Sequence, residues 1–161
     1  MLFMSQVYRW FLSVWAWSYE SSAVGDPQSH LLDIVRVADM RNAAAGVSGL
    51  LAHDVYGFYQ LLEGPHDSIL QLRMSIMRDR RHRVNWQSMV PRRTRRTPLS
   101  LPMAFIPTDI PHGGLLRPGN APVQAAFETL LLERAAQSYP SSYAANTQVG
   151  DVPRYSSAAG G

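Results

Sequence analysis

Tyr19, Asn42, Gln60 and Met103 are polar or soft side chains set where the surrounding pattern presents a buried face. Gln60 is the sharpest of the four. In Tyr56-Gly57-Phe58-Tyr59-Gln60-Leu61-Leu62-Glu63-Gly64, strand alternation places Phe58, Gln60 and Leu62 on one side, so a carboxamide lies between two apolar neighbours. A buried amide without partners costs roughly 1 to 3 kcal/mol, so this position demands hydrogen bonds from the protein or from a ligand. A phenol can give up an electron and a proton, and a carboxamide can exchange its donor and acceptor ends by rotation. Gathered in one crevice, these groups suit a planar heteroaromatic ring with carbonyls and ring nitrogens. Taken singly, Tyr19 reads as a strand-end tyrosine, Asn42 as the last turn of a helix and Met103 as core filler.

Periodicity supplies the elements that must position them. An aromatic and β-branched run predicts a first strand over about Phe11 to Tyr19, ended by Ser21, Ser22 and Gly25-Asp26-Pro27. Leu31, Ile34, Val35 and Ala38 recur at helical spacing, and Asn42 extends that face by one turn. Val47 to Ala52 and Gly57 to Leu62 read as a hairpin around His53-Asp54-Val55-Tyr56. Ile69, Leu72, Ile76 and Met77 make a second amphipathic helix that ends at the Asp79-Arg80-Arg81-His82 turn. Strands follow over Val84 to Val90 and Leu99 to Phe105. The order predicts an α+β fold: a ferredoxin-like β-α-β-β-α-β unit with an added fifth strand, in one mixed sheet with two helices on one face. After a Pro/Gly linker, Val123, Phe127, Leu130 and Leu131 form one face of a third helix that needs a surface to cover. The expected organisation is a domain over 1–105, a linker and helix over 106–137, and a flexible tail over 138–161.

Composition narrows the chemistry. A chain of 161 residues with 46% hydrophobic and 17% charged content fits one soluble globular domain. No cysteine is present, which removes disulfides, thiolate metal sites and cysteine nucleophiles and makes the cytoplasm the default compartment. The net charge of +3 is carried by arginine alone, and the absence of lysine removes Schiff-base chemistry and any P-loop. The five histidines fall in different elements with no metal-binding spacing, so no metal site is expected. Gly46-Val47-Ser48-Gly49 lacks the second glycine of a nucleophile elbow, and no enzyme activity is expected. The run Phe11 to Trp17 is far short of the roughly 20 residues of a membrane span.

Three blocks carry a family resemblance: Tyr19-Glu20-Ser21-Ser22, Arg41-Asn42-Ala43-Ala44-Ala45-Gly46-Val47-Ser48-Gly49-Leu50-Leu51, and Gly57-Phe58-Tyr59-Gln60-Leu61-Leu62-Glu63-Gly64-Pro65. Extended by Asp79-Arg80-Arg81-His82 and by Met103, the stretch from about Val14 to Phe105 resembles the BLUF domain, the blue-light sensors that use FAD. The resemblance implies a non-covalent flavin: FAD, with FMN or riboflavin as alternatives. By it, Tyr19 would be the photo-oxidisable donor and Gln60 the hydrogen-bond switch beside the flavin. Met103 would relay the change into the last strand. Asn42 would hold the pyrimidine edge, Arg81 the same edge or the phosphates, and Ile34, Leu51 and Phe58 would wall the ring, with Arg41 and His82 as further contacts. Trp15 and Trp17 share a strand face with Tyr19 and stand as competing electron donors.

The family often carries tryptophan two residues before the methionine; here Leu101 stands there, with Pro102 between. Proline removes a ladder donor, so the last strand is expected at an edge or locally bent. Ser48 stands where threonine is usual, and the hairpin glycine comes one place late. Output is expected through an unknown downstream protein partner or a change in self-association, with the third helix as carrier and a homo-oligomer as the working form. Two other readings are a ferredoxin-like nucleic-acid-binding module, with the arginines at 78–83 and 92–96 as phosphate contacts, and a flavin-free relic of the family.

Overall fold

Continuous burial with alternating side-chain direction along the first aromatic run sets the layout of the molecule. Trp17 and Tyr19 point to one face of a sheet and Ala16 to the other, and helices must cover both. The computed structural model describes residues 14–53, 57–107 and 121–148. Its elements are β1 (Val14–Ala23), α1 (Pro27–Ala45), β2 (Ser48–His53), β3 (Gly57–Gly64), α2 (His66–Met77), β4 (His82–Arg92), β5 (Ala104–Pro107), α3 (Ala121–Ser138) and α4 (Pro140–Gln148). The five strands form one sheet in the order β4-β1-β3-β2-β5. All neighbours are antiparallel except β2 and β5, so the sheet is mixed, as expected of a ferredoxin-like unit with an added strand.

Each face has its own core. Trp17, Tyr19, Val47, Leu51, Phe58, Leu62, Ile69 and Met103 meet Leu31, Ile34, Val35 and Ala38 of α1 and Leu72 and Ile76 of α2. On the opposite face Ala16, Leu50, Ala52, Tyr59, Leu61, Trp86, Ala104 and Ile106 are covered by Phe127, Leu131 and Ala135 of α3. The covering stripe of α3 therefore runs at i, i+4 and i+8 from Phe127. Leu130, expected on that stripe, is half-buried and outside the cluster. The side chain of Val123 lies outside the described residues.

Local chemistry explains the turns. Gly46 has φ +67°, and the bonds Val47 N–H to Asn42 C=O (2.9 Å) and Gly46 N–H to Ala43 C=O (3.4 Å) end α1 in a Schellman motif. This fixes Asn42 in the last turn. A Cβ on Gly57 would overlap the Ser21 carbonyl of β1, so only glycine lets β3 begin there.

The segment after β4 is tied down by two acidic side chains. The fully buried Glu63 accepts from the backbone N–H of Arg96 (2.9 Å) and Thr97 (2.6 Å) and from the Thr97 hydroxyl (2.7 Å). Glu128 of α3 takes Arg92 (2.7 Å) and Arg96 (3.3 Å).

Several boundaries differ from the expectations. β1 runs on through Ser21 and Ser22 to Ala23, because both serines pair with β3 and, beyond a register shift between Glu20 and Ser21, with β4. Residues 11–13 and the hairpin tip 54–56 lie outside the described residues. His82 opens β4 rather than closing a turn. β5 spans only Ala104–Pro107, since Pro102 gives no ladder donor and the stretch from Leu99 is turn and bend. It is an edge strand, as expected, and Met103 sits just before it. A short helix, α4, occupies part of the region expected as a tail, and its Tyr143 packs on the α3-side core.

Leu131→Ala empties the centre of the α3-side core and is expected to cost about 2 to 5 kcal/mol. Urea unfolding should show a lower midpoint at unchanged slope.

Candidate functional site

A crevice opens between the sheet and the two helices α1 and α2. Its walls come from helical stripes and alternating strand positions. Ile34, Val37, Ala38, Arg41 and Asn42 line one side from α1, and Leu72, Ser75, Ile76 and Asp79 another from α2 and the residues just after it. Tyr19, Leu51, Phe58, Gln60 and Leu62 form the floor, with Arg81 and His82 at the start of β4. The crevice holds about 650 Å³ of atom-free space including its open mouth.

The floor is built in register. Tyr19 of β1 lies directly opposite Gln60 of β3, and Gln60 lies opposite Leu51 of β2. The Tyr19 hydroxyl donates to Gln60 Oε1 at 2.5 Å, and Gln60 Nε2 donates to the Met103 sulfur at 3.6 Å. Both ends of the amide are thus held by protein groups. The thioether is a weak acceptor, and the second N–H of Gln60 meets no other group among the described residues. Asn42 Nδ2 donates to the Pro102 carbonyl at 3.0 Å, which ties the end of α1 to the approach of β5. Tyr19, Asn42, Gln60 and Met103 are all buried.

Charge gathers at the mouth. Arg81 grips the Asp79 carboxylate through Nε, which reaches both oxygens, and through Nη2, and its backbone N–H adds a fourth bond to the same group. The hydrogen bond from Arg81 holds the Asp79 carboxyl below its ordinary value, and the bond to Asp79 raises Arg81. Arg41 Nη2 reaches Ser75 Oγ across the crevice at 3.4 Å. The His82 ring lies 5.8 Å from the Tyr19 ring and meets the Ile76 carbonyl at 3.0 Å. Burial pushes the Tyr19 phenol well above its ordinary value, Asp79 pushes the same way, and Arg81 opposes them. The phenol is therefore neutral, with its proton directed at an amide oxygen.

The structure brings together every site residue expected from the sequence. Tyr19, Ile34, Arg41, Asn42, Leu51, Phe58, Gln60, Arg81 and His82 line the crevice, and Met103 touches Gln60 from the β5 side. Arg81 differs in one respect: its guanidinium is committed to Asp79. Val37, Ala38, Leu62, Leu72, Ser75, Ile76 and Asp79 were not named as site residues. The i, i+3, i+4, i+7 spacing of 34, 37, 38, 41 and of 72, 75, 76, 79 carries the signal for six of them, and strand alternation with Phe58 and Gln60 carries Leu62.

The family model of Sensors of blue-light using FAD, or BLUF, matches residues 14–96, more than half of the chain. The chain belongs to the BLUF family. As a BLUF domain it is a flavin-binding sensor of blue light. Among solved structures it is similar to BlrB, a BLUF protein in its dark state, with TM-score 0.63 at 22% identity over 80% of this chain and 98% of that one. It is similar also to BlsA in a photo-activated state, with TM-score 0.61 at 21% identity over 76% and 94%. Those two likenesses speak for the fold. BlrP1 of Klebsiella pneumoniae, in a manganese and cyclic-diGMP complex, matches with TM-score 0.54 at 27% identity over 58% of this chain and 24% of that one. No match to a curated protein sequence is found. Among the described residues of this BLUF chain no helix is long and apolar enough to cross a membrane, and no three His, Cys, Asp or Glu groups could hold a metal ion.

The raised Tyr19 value has a readable sign. Above pH 10 the unfolded phenol loses its proton while the folded one keeps it, so stability falls as pH rises by up to about 1.4 kcal/mol per pH unit for this group. With no lysine in the chain, tyrosines dominate proton release in this window. Tyr19→Phe is expected to flatten the fall, as measured by urea unfolding between pH 9 and pH 11. Tyr59, buried and likewise raised, accounts for part of what remains.

Proposed function

We propose that this BLUF domain holds FAD in the crevice between α1 and α2, with Tyr19 as photo-oxidisable donor and Gln60 as the switch that converts donation into a new hydrogen-bond pattern. The observation that carries this reading is the buried Tyr19 to Gln60 hydrogen bond on the crevice floor. The donor set fits the group. Ile34, Leu51, Phe58, Leu62 and Ile76 supply apolar walls for a flat ring, while Asn42 and Gln60 present amide atoms toward ring-edge heteroatoms. Arg41, at the mouth, provides positive charge for a phosphate tail, Arg81 joins it by exchanging Asp79 for phosphate, and FMN shares enough of that chemistry to bind as well.

When bound, the flavin supplies a light-excited acceptor for one electron and one proton. Tyr19 is the neutral phenol able to give both, its proton already directed along the bond to Gln60. Once that donor is momentarily lost, the Gln60 carboxamide has a reason to turn, since its oxygen no longer faces an O–H. Turning also takes Nε2 away from the Met103 sulfur, a weak partner that resists little. Met103 precedes β5, and Asn42 holds the adjoining Pro102 carbonyl, so a change at Gln60 is felt first at the approach to the edge strand. Leu50 and Ala52 of β2, paired with β5, lie in the core that α3 covers, which makes α3 the carrier toward a downstream partner or a second copy.

Tyr19→Phe is expected to bind flavin and to lose the light-induced red shift of its absorption. A shift that persists removes Tyr19 from the mechanism. Gln60→Leu is expected to give yellow protein without a photocycle, and normal cycling there defeats the switch.

A further inference from the structure

Tyr19 sits between two glutamines in register, Gln60 on β3 and Gln87 on β4. Gln60 accepts the Tyr19 proton donor, while Gln87 serves another aromatic. The indole N–H of Trp17 donates to Gln87 Oε1 at 3.1 Å, and the Trp17 ring lies 4.6 Å from the Tyr19 ring, tilted by 30°. Trp17 is fully buried. The two rings thus form a contact pair in which each holds its proton against an amide oxygen. One difference separates them: Gln87 Oε1 also accepts from Arg73 Nε at 2.8 Å, so a single oxygen atom stands between the indole N–H and a guanidinium.

We propose that Arg73, acting through Gln87, confines the oxidising equivalent to Tyr19 by making Trp17 the costlier place for it. The step that it opposes is simple. Tyr19, oxidised by the photoexcited flavin, is a phenoxyl; one electron passing from the Trp17 indole refills it, and the phenol recovers its proton from the group that took it. The indole is left one electron short. Its charge disperses only if the Nε1 proton leaves, and the amide oxygen that faces it is too weak a base to keep that proton. An indole radical cation on the buried Trp17 then faces a guanidinium across one part-buried oxygen atom, and the like charges repel. Among the described residues no such cation shares the oxygen that faces Tyr19. Arg73 and Gln87 are accordingly positioning residues, and the inference rests on the donor role of Tyr19 proposed above.

The first test avoids photochemistry. Flavin-loaded protein is kept dark, and azide radicals made by pulse radiolysis take one electron from its aromatic residues. Oxidation products at Trp17 are then compared with those at Trp15 and Trp86 by peptide mass spectrometry. Arg73→Met, which keeps the bulk and removes the charge, is expected to raise the Trp17 share roughly threefold or more. Arg73→Lys is expected to keep the wild-type share, which separates charge from packing. An unchanged share in Arg73→Met overturns the proposal, as does a Trp17 share in wild type that already exceeds both references. A second arm uses light and electron paramagnetic resonance. Arg73→Met is expected to show a tryptophanyl signal that Trp17→Phe abolishes, together with a smaller red shift, and a spectrum identical to wild type counts against the idea. A red shift that survives in Tyr19→Phe defeats the donor role alone, because the dark oxidation pattern remains readable without it.

Discussion

One hydrogen bond, from the Tyr19 phenol to the Gln60 carboxamide oxygen, is the constraint around which the rest is arranged. It forms because β1 and β3 are paired in a register that sets the two residues side by side, and a slip of β3 by one residue would turn Gln60 to the other face, away from Tyr19. Burial keeps the phenol neutral, and neutrality keeps the proton on the tyrosine side of the bond. Gly57, pressed on the Ser21 carbonyl, is the local feature that allows this approach of β3 to β1. The central hydrogen bond of the site is therefore also a statement about sheet register.

The sheet separates two environments with different chemistry. The α1 and α2 side carries the crevice, its amides and the arginines of its mouth. The α3 side is closed by Phe127, Leu131 and Ala135, with Glu128 and Glu63 fastening the chain that crosses from β4 toward β5. Arg95 binds that crossing to the Gly46 carbonyl and the Ser48 hydroxyl, next to the turn that fixes Asn42. The crossing segment thus touches β3, α3 and the end of α1, the elements that hold Gln60, cover the opposite face and carry Asn42. Its contacts with the crevice side are lighter, made through Pro102 and Met103.

Much of this was legible in the sequence because the signals were local and strong. Alternation around Gln60, the helical stripe from Ile34 to Asn42 and the Gly46 turn each follow from single-segment geometry, and they place the site floor and one wall. Element order then gives the sheet. What escaped depends on partners distant in sequence. The commitment of Arg81 to Asp79 was open to view two residues away, yet its competition with a phosphate is decided by the fold. Gln87 falls within the expected strand from Val84 to Val90 with nothing local to single it out; only the pairing of β4 with β1 sets it beside Trp17. The late start of β5 was indicated by Pro102, whereas the continuation of β1 through two serines was hidden because sheet partners on both sides outweigh their turn preference.

Tyr59 and Gln60 are consecutive on β3 and face opposite ways, Gln60 toward the crevice and Tyr59 edge-on to Phe127 of α3 with ring centres 5.2 Å apart. The wall dividing the two compartments is, at this point, one peptide unit thick. A twist of the backbone that shifts the amide rocks the phenyl rim beneath it like a seesaw about its pivot. The α3 helix therefore touches, through Tyr59, the immediate chain neighbour of the residue that faces the crevice.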